Sequence, residues 1–263
     1  MRANAGPGCL LTVSEVEVLG LEADEPPGSE CPYCGSALEP LAVELNGRAY
    51  WVSHCSCGCD GERAAREHEA AEELRERRRE LLGRLVRAGI GRRYLDAQVS
   101  VRACADYLSG FAGSRGGGLY IHGPVGSGKT YEASALAARF LEAGYAVVMA
   151  GTLKMLDSIY KSYRSDSERA VGISRYSTCD VLVLDDLGKE GASGWAATTL
   201  YQIIDARYNA LLPVIVTSQY PPQSIERRLA RGGETETAAA IASRLAEMCD
   251  PVSLVRRDRR RCG

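Results

Sequence analysis

Neither end of the 263-residue sequence carries a long uncharged apolar run, which argues against a membrane-spanning segment. Met1 to Gly8 has one arginine among small residues and no apolar stretch behind it. A secretory signal is therefore not expected, and a cytoplasmic protein is. Also lacking is an excess of either charge: Lys and Arg number 32 against 34 Asp and Glu, a net charge of -2, so composition alone predicts no strong attraction to nucleic acid. No internal repeat or extended low-complexity segment interrupts the chain. Its length allows one α/β domain of roughly 170 to 200 residues plus a small accessory module.

What is present is unevenly placed. The last eight residues, from Arg256, hold five arginines, while Glu15 to Glu30 holds none. Such a tail can touch phosphates or simply be solvated. Of ten cysteines, five (Cys31, Cys34, Cys55, Cys57 and Cys59) lie between positions 31 and 59. Without a signal peptide, metal binding explains this crowding better than disulfides do. The scattered Cys9, Cys104, Cys179, Cys249 and Cys262 are expected to be small apolar or surface residues.

Four segments follow along the chain. Residues 1–30 are acidic, punctuated by Pro and Gly, and expected to be loosely ordered, with a short strand at Thr12 to Val18. Residues 31–61 form the cysteine module, in which Leu41 to Leu45 and Ala49 to Val52 flank Asn46-Gly47, a strong hairpin signal. Residues 62–88 contain no proline, place Leu74, Leu81, Leu85 and Ala88 on one face, and read as a linker helix with Glu73/Arg77 and Glu80/Arg84 pairs. In residues 89–263, apolar runs at Leu119 to His122, Ala146 to Ala150, Val181 to Leu184, Val214 to Thr217 and Val252 to Val255 alternate with helical stretches. This predicts an α/β fold with a five-stranded, mainly parallel sheet and flanking helices, approached by a flexible Gly113 to Gly118.

Gly123-Pro124-Val125-Gly126-Ser127-Gly128-Lys129-Thr130, followed by Tyr131, lies between a predicted strand and a predicted helix, the context a phosphate-binding loop requires. Glycines let backbone N–H groups turn toward phosphate, Lys129 reaches the β and γ oxygens, and Thr130 offers its hydroxyl to Mg²⁺. ATP or a close relative is the expected ligand. Asp180-Val-Leu-Val-Leu-Asp185-Asp186 is a buried strand ending in two carboxylates. Asp185 is assigned to the magnesium shell, and Asp186 to polarising the attacking water or to capping the next turn. Gln219, or Ser218 beside it, could orient that water.

The ordered set of P-loop, Leu-Asp-Asp strand, Thr-Ser-Gln strand end and Ile241-Ala-Ser-Arg244-Leu resembles the AAA+ ATPases of the DnaC/DnaI helicase-loader and IstB branch. So do Ala88-Gly-Ile-Gly-Arg-Arg-Tyr94 and Asp205-Ala-Arg-Tyr-Asn209. The resemblance covers the chain from about residue 88 onward. It implies that Ile90 and Tyr94 lie near the adenine and that Arg244 is an arginine finger reaching a neighbouring subunit's phosphate. Nucleotide-bridged self-association follows, with Arg259 or Arg260 as a second sensor. Gln219 stands where such ATPases more often have Asn, and Asp186 where many have Glu. The shorter carboxylate predicts slow, switch-like turnover.

Cys31-Pro-Tyr-Cys34-Gly is half of a Zn²⁺ site, and the residues alone leave His54, Cys55, Cys57 and Cys59 open for the other half. The Cys-Gly-Cys-Asp-Gly ending resembles loader-like chains and favours Cys57 and Cys59. Between the second and third strands of the ATPase core, Leu153 to Tyr176 interleaves Lys154, Lys161, Arg164, Arg169 and Arg175 with Tyr160, Tyr163 and Tyr176. In initiator and loader relatives an added helix here lines a channel for single-stranded DNA, which suits stacking and cationic contacts. The resemblance thus implies a loader that holds a replicative DnaB-type helicase through its zinc ribbon. The alternative is an IstB-like transposition helper. A P-loop phosphotransferase and a non-hydrolysing scaffold are further rivals.

Overall fold

A computed structural model describes residues 10–111, 116–162, 166–189 and 193–254, with the backbone alone for 166–171. The chain divides into two compact units, Met1–Arg78 and Arg79–Gly263, and the division falls within the long helix α2 (Asp60–Arg87).

The first unit is built on the hairpin of β5 (Pro40–Leu45) and β6 (Arg48–His54). Asn46 and Gly47 both take positive φ, 53° and 79°, the turn that matches the twist of adjacent strands. Where Thr12 to Val18 was expected to be a strand, only β1 (Leu11–Thr12) is extended, and α1 (Val13–Leu19) follows it. The alternating valines suggest a period of two, but local hydrogen bonding overrides them. Thr12 and Glu15 form a capping box, and Gly20 ends the helix in the left-handed conformation. Residues 10–30 are also better tied down than their composition suggests. Leu11 and Val16 pack with Ala42 and Ala49. β1 pairs with β5, and β2 (Glu22–Ala23) runs parallel to β6. Asp24 is bound by Arg48 at 2.7 Å and, through its carbonyl, by the Trp51 indole at 2.9 Å. β3 (Ser29–Glu30) and β4 (Ala37–Leu38) close the cysteine loop as a separate two-stranded pair. Along α2, Glu73 pairs with Arg77 at 2.5 Å as expected.

The second unit starts from the rest of α2 and α3 (Arg102–Gly110). A parallel sheet follows, made of β7 (Gly118–His122), β8 (Val147–Gly151), β9 (Val181–Leu187), β10 (Val214–Ser218) and β11 (Cys249–Ser253). The order across it is β11-β7-β10-β9-β8. Connecting helices are α4 (Lys129–Glu142), α5 (Thr152–Lys161), α6 (Asp166–Thr178), α7 (Gly194–Asn209), α8 (Pro222–Leu229) and α9 (Thr235–Met248). Alternation along β9 sends Leu182 and Leu184 into one apolar layer, Val181 and Val183 into the other, so both faces are covered, as a parallel sheet requires. Two expectations shift. The last strand begins at Cys249 rather than Val252, because the buried Cys249 registers with Gly118; Val255 lies outside the described residues. Arg84 donates to the Leu141 carbonyl at 2.6 Å instead of serving Glu80, a second donor to an oxygen that also accepts from the Gly144 N–H at 3.1 Å.

Arg207 on α7 is fully buried and straps four backbone carbonyls, those of Tyr176, Cys179, Asp180 and Pro213, at 2.8 to 3.2 Å. It thereby ties α6, β9 and the entry to β10 together. Burial lowers its pKa, with opposing support from the Cys179 thiol and Asp180. Arg207→Met keeps the apolar stem but removes the guanidinium donors from all four carbonyls, and is expected to cost about 3 kcal/mol. A lowered urea midpoint at unchanged slope would report it; an unchanged midpoint would contradict it.

Candidate functional site

The phosphate loop joins β7 to α4 at the carboxyl end of the sheet, where β7 and β9 are separated by β10. Open α/β sheets bind ligands at such crossing points. Gly126 and Gly128 have φ of 80° and 96°, values that a side chain would strain and that curl the loop above the start of α4. Lys129 is 6% exposed, and its Nζ donates to the carbonyls of Gly123 and Pro124, each at 2.9 Å. Ser127 Oγ is buried with no hydrogen-bond partner among the described residues. A buried hydroxyl of that kind, on a loop leading into a helix N-terminus, fits a phosphate group. Val125 is exposed at the tip. The side chain of Tyr131 turns away, its hydroxyl accepting from the Gln98 backbone N–H at 3.2 Å.

Across from the loop, Thr130 Oγ1 lies 3.0 and 3.2 Å from the two carboxylate oxygens of Asp185. This hydroxyl and carboxylate are a suitable donor set for Mg²⁺. Burial raises the Asp185 pKa, and the Thr217 hydroxyl at 2.6 Å opposes the shift. Asp186 has φ of 61° and pairs with Lys189 Nζ at 2.9 Å. Both carboxylates, with Thr130, Lys189, Tyr94 and Lys154, line a cavity of about 590 Å³. Tyr94 thus faces the site, whereas Ile90 is 2% exposed in the apolar layer behind it.

Of Ser218 and Gln219, the structure removes the first. Ser218 is fully buried, and its hydroxyl is spent on the Leu187 carbonyl at 2.7 Å and the Tyr220 N–H at 3.1 Å. Gln219 stands half-buried just beyond the strand. Arg244 is held within its own chain. Its Nε and Nη2 reach Asp205 Oδ1 at 2.8 and 2.6 Å, Nη2 also meets the Tyr201 hydroxyl, and the guanidinium lies over the Tyr201 and Tyr208 rings. Any reach to a neighbouring subunit requires that it leave Asp205. Arg259 and Arg260 lie outside the described residues.

The basic and aromatic segment is only partly placed. Lys154 is exposed, Lys161 pairs with Asp157 at 2.6 Å, and Tyr160 is exposed with its ring edge-on to Trp195. Arg175 is exposed, and Tyr176, 7% exposed and packed in the apolar layer, also lines the cavity that holds Tyr94, Lys154 and Asp185. Tyr163 and Arg164 and the side chain of Arg169 lie outside the described residues.

In the first unit, the sulfur atoms of Cys31, Cys34, Cys57 and Cys59 lie within 4.8 Å of one another, a set that could hold a metal ion. Cys31 meets Cys59 at 3.8 Å and Cys34 meets Cys57 at 3.3 Å. The Ser36 hydroxyl beside Cys34 helps lower that thiol to about 6, while Cys34 pushes Cys57 up to about 12. Four soft sulfur ligands fit a closed zinc site. Cys55 and His54 are outside the cluster; the His54 ring faces the Pro27 carbonyl at 3.4 Å. Elsewhere, Cys104, Cys179 and Cys249 are buried as expected, and Cys9 and Cys262 lie outside the described residues. Two hydroxyls at the nucleotide site escaped the sequence reading. Thr217 binds Asp185, and Thr152 donates to the Asp185 carbonyl at 3.1 Å. The available signal was a hydroxyl at each strand's carboxyl end.

Among the described residues, no helix is long and apolar enough to cross a membrane. The family described as IstB-like ATP binding protein matches residues 114–261. The replicative helicase loader DnaI of Bacillus subtilis is 26% identical over 151 residues, covering 56% of this chain and 48% of the relative. An ATP-binding protein of an insertion sequence in Mycobacterium tuberculosis is 33% identical over 109 residues, 41% of this chain and 43% of the relative. The chain therefore spans about half or less of the length of these curated relatives. Among solved structures, the DnaC helicase loader is 25% identical with a TM-score of 0.51, over 63% of this chain and 100% of that one. The structure of DnaI matches with the same identity and score over 59% and 82%. Fold, sequence and site geometry thus agree on an ATP-binding AAA+ core homologous to helicase loaders.

Proposed function

We propose that this chain, which belongs to the IstB-like ATP binding protein family, is a helicase loader: an ATPase that holds a replicative DnaB-type helicase and delivers it to single-stranded DNA. The observation that carries the proposal is the four-cysteine cluster in a unit of its own, ahead of the 114–261 match. A closed metal knuckle there supplies a second binding module in addition to the nucleotide core. Similarity to DnaI supports the same reading.

In this mechanism, Lys129 and the loop amides bind the β and γ phosphates, and Asp186 accepts a hydrogen bond from the attacking water. Magnesium, held by Thr130 and Asp185, would neutralise charge on the phosphates when bound. Gln219 orients the water. The Lys189 ion pair occupies one oxygen of Asp186, which favours slow, switch-like turnover. Tyr94 stacks near the base. Arg244, once released from Asp205, completes a neighbouring subunit's site and makes hydrolysis depend on assembly. Zinc in the ribbon is structural.

A second reading, a transposition helper that acts with a transposase on duplex DNA, is favoured by the insertion-sequence relative. Mixing the full chain with a purified hexameric replicative helicase of its host, in ATP and in ADP, separates the two. Nucleotide-dependent co-elution with the helicase is expected. ATP-dependent capture of a transposase and no retention of the helicase would overturn the loader proposal.

A further inference from the structure

Glu132 is a buried acidic residue that the hydrolytic mechanism does not use. It lies in the first turn of α4 and is 1% exposed, and a carboxylate is costly to bury unless donors surround it. The donors come from one short stretch. Ser100 gives it a backbone N–H at 3.1 Å and its hydroxyl, and Val101 a backbone N–H at 3.4 Å. Beside them the Gln98 N–H reaches the Tyr131 hydroxyl at 3.2 Å. Two successive residues of α4 thus grip residues 98–101.

That stretch is one end of a strap along the cavity. The other end is fixed to β8, where the Ala88 carbonyl accepts from the Met149 N–H at 2.7 Å. There Gly89, with φ of 99°, passes so close to the Met149 carbonyl that a Cβ would collide with it. Between the two anchors, Gly91 and Tyr94 line the cavity that holds Thr130, Asp185 and Asp186, and the Ala97 N–H donates to the Tyr94 carbonyl at 3.1 Å. We infer that Glu132 is a positioning residue for nucleotide binding: its carboxylate fastens the strap, and with it Tyr94, to the same helical turn whose Lys129 and Thr130 serve the phosphates. Glu132 acts through Tyr94, and the inference rests on the reading that Tyr94 stacks near the base.

Calorimetric titration of the full chain in Mg²⁺, with ATP and with inorganic tripolyphosphate, reads the base and phosphate ends of the site separately. Glu132→Leu replaces the carboxylate with an apolar group of similar size; Glu132→Gln keeps an acceptor oxygen. The leucine variant is expected to bind ATP about tenfold more weakly and tripolyphosphate as the parent does, with the glutamine variant close to the parent. In a Tyr94→Ala background the leucine change should add little, because both act on one contact. If leucine prevents folding, Ser100→Ala, which deletes the hydroxyl donor, is expected to show the same selective loss in smaller measure. Parent-like ATP affinity in a folded leucine or alanine variant would overturn the inference, as would equal losses for both ligands, no rescue by glutamine, or full additivity with Tyr94→Ala. Failure of the underlying reading looks different: Tyr94→Ala by itself would then bind ATP as tightly as the parent, and the inference would fall with it.

Discussion

Lys129→Ala is expected to lower ATP turnover by on the order of a hundredfold or more while leaving the fold intact. The side chain is buried at 6% exposure, and its ammonium already meets two loop carbonyls at 2.9 Å. It sits where the loop would cradle phosphate, so its charge is worth more there than in water. Removing it leaves no ammonium at that position, and the exposed Lys189, paired with Asp186, is not placed to replace it. Phosphate release at saturating ATP and Mg²⁺ measures the effect, with ATP binding followed separately by calorimetry. The melting temperature provides the control. Unchanged turnover in a folded variant would mean that the loop does not serve hydrolysis.

Stripping metal from the ribbon is expected to have a comparably large effect on a different property. Cys31, Cys34, Cys57 and Cys59 converge within 4.8 Å, while among the described residues the apolar cluster of that unit has only Leu11, Val16, Ala42 and Ala49 as buried members. So small a core cannot offset the conformational entropy of the segment. Structural zinc in small modules supplies apparent binding free energy of about 10 kcal/mol or more. A strong chelator, or Cys57→Ser, should release one zinc per chain and lose amide-exchange protection across residues 10–59. Steady-state ATP turnover should survive, because the nucleotide site is formed by the other unit. Retained protection after complete metal removal would show that the ribbon folds without metal.

The features set by local rules were legible in the sequence. Asn46-Gly47 specified its hairpin because both residues tolerate positive φ, and the alanine-rich run after Lys129 specified α4. Thr12 to Val18 was misjudged because its alternating valines were weighed above the Thr12–Glu15 cap, which is equally local. Glu80 and Arg84 had the right spacing, yet Arg84 was drawn to the carbonyl of Leu141, a residue distant in sequence. Tyr176 packs in the apolar layer and at the same time lines the cavity beside Tyr94, a placement that its sequence neighbours do not reveal. Nothing near Arg244 in sequence reveals Asp205, Tyr201 and Tyr208, which hold it in place.

By itself the sequence determined the ligand class, the strand-and-helix alternation and the residue types at the site, because a phosphate loop and buried strands are specified by nearest neighbours and periodicity. Only the tertiary structure decided which atoms meet. It committed Ser218 to backbone hydrogen bonds and revealed Thr217 opposite two aspartates. These are choices of register between segments far apart in the chain. A shift of one residue in a strand moves every side chain to the opposite face, so no local pattern in the sequence could have made them.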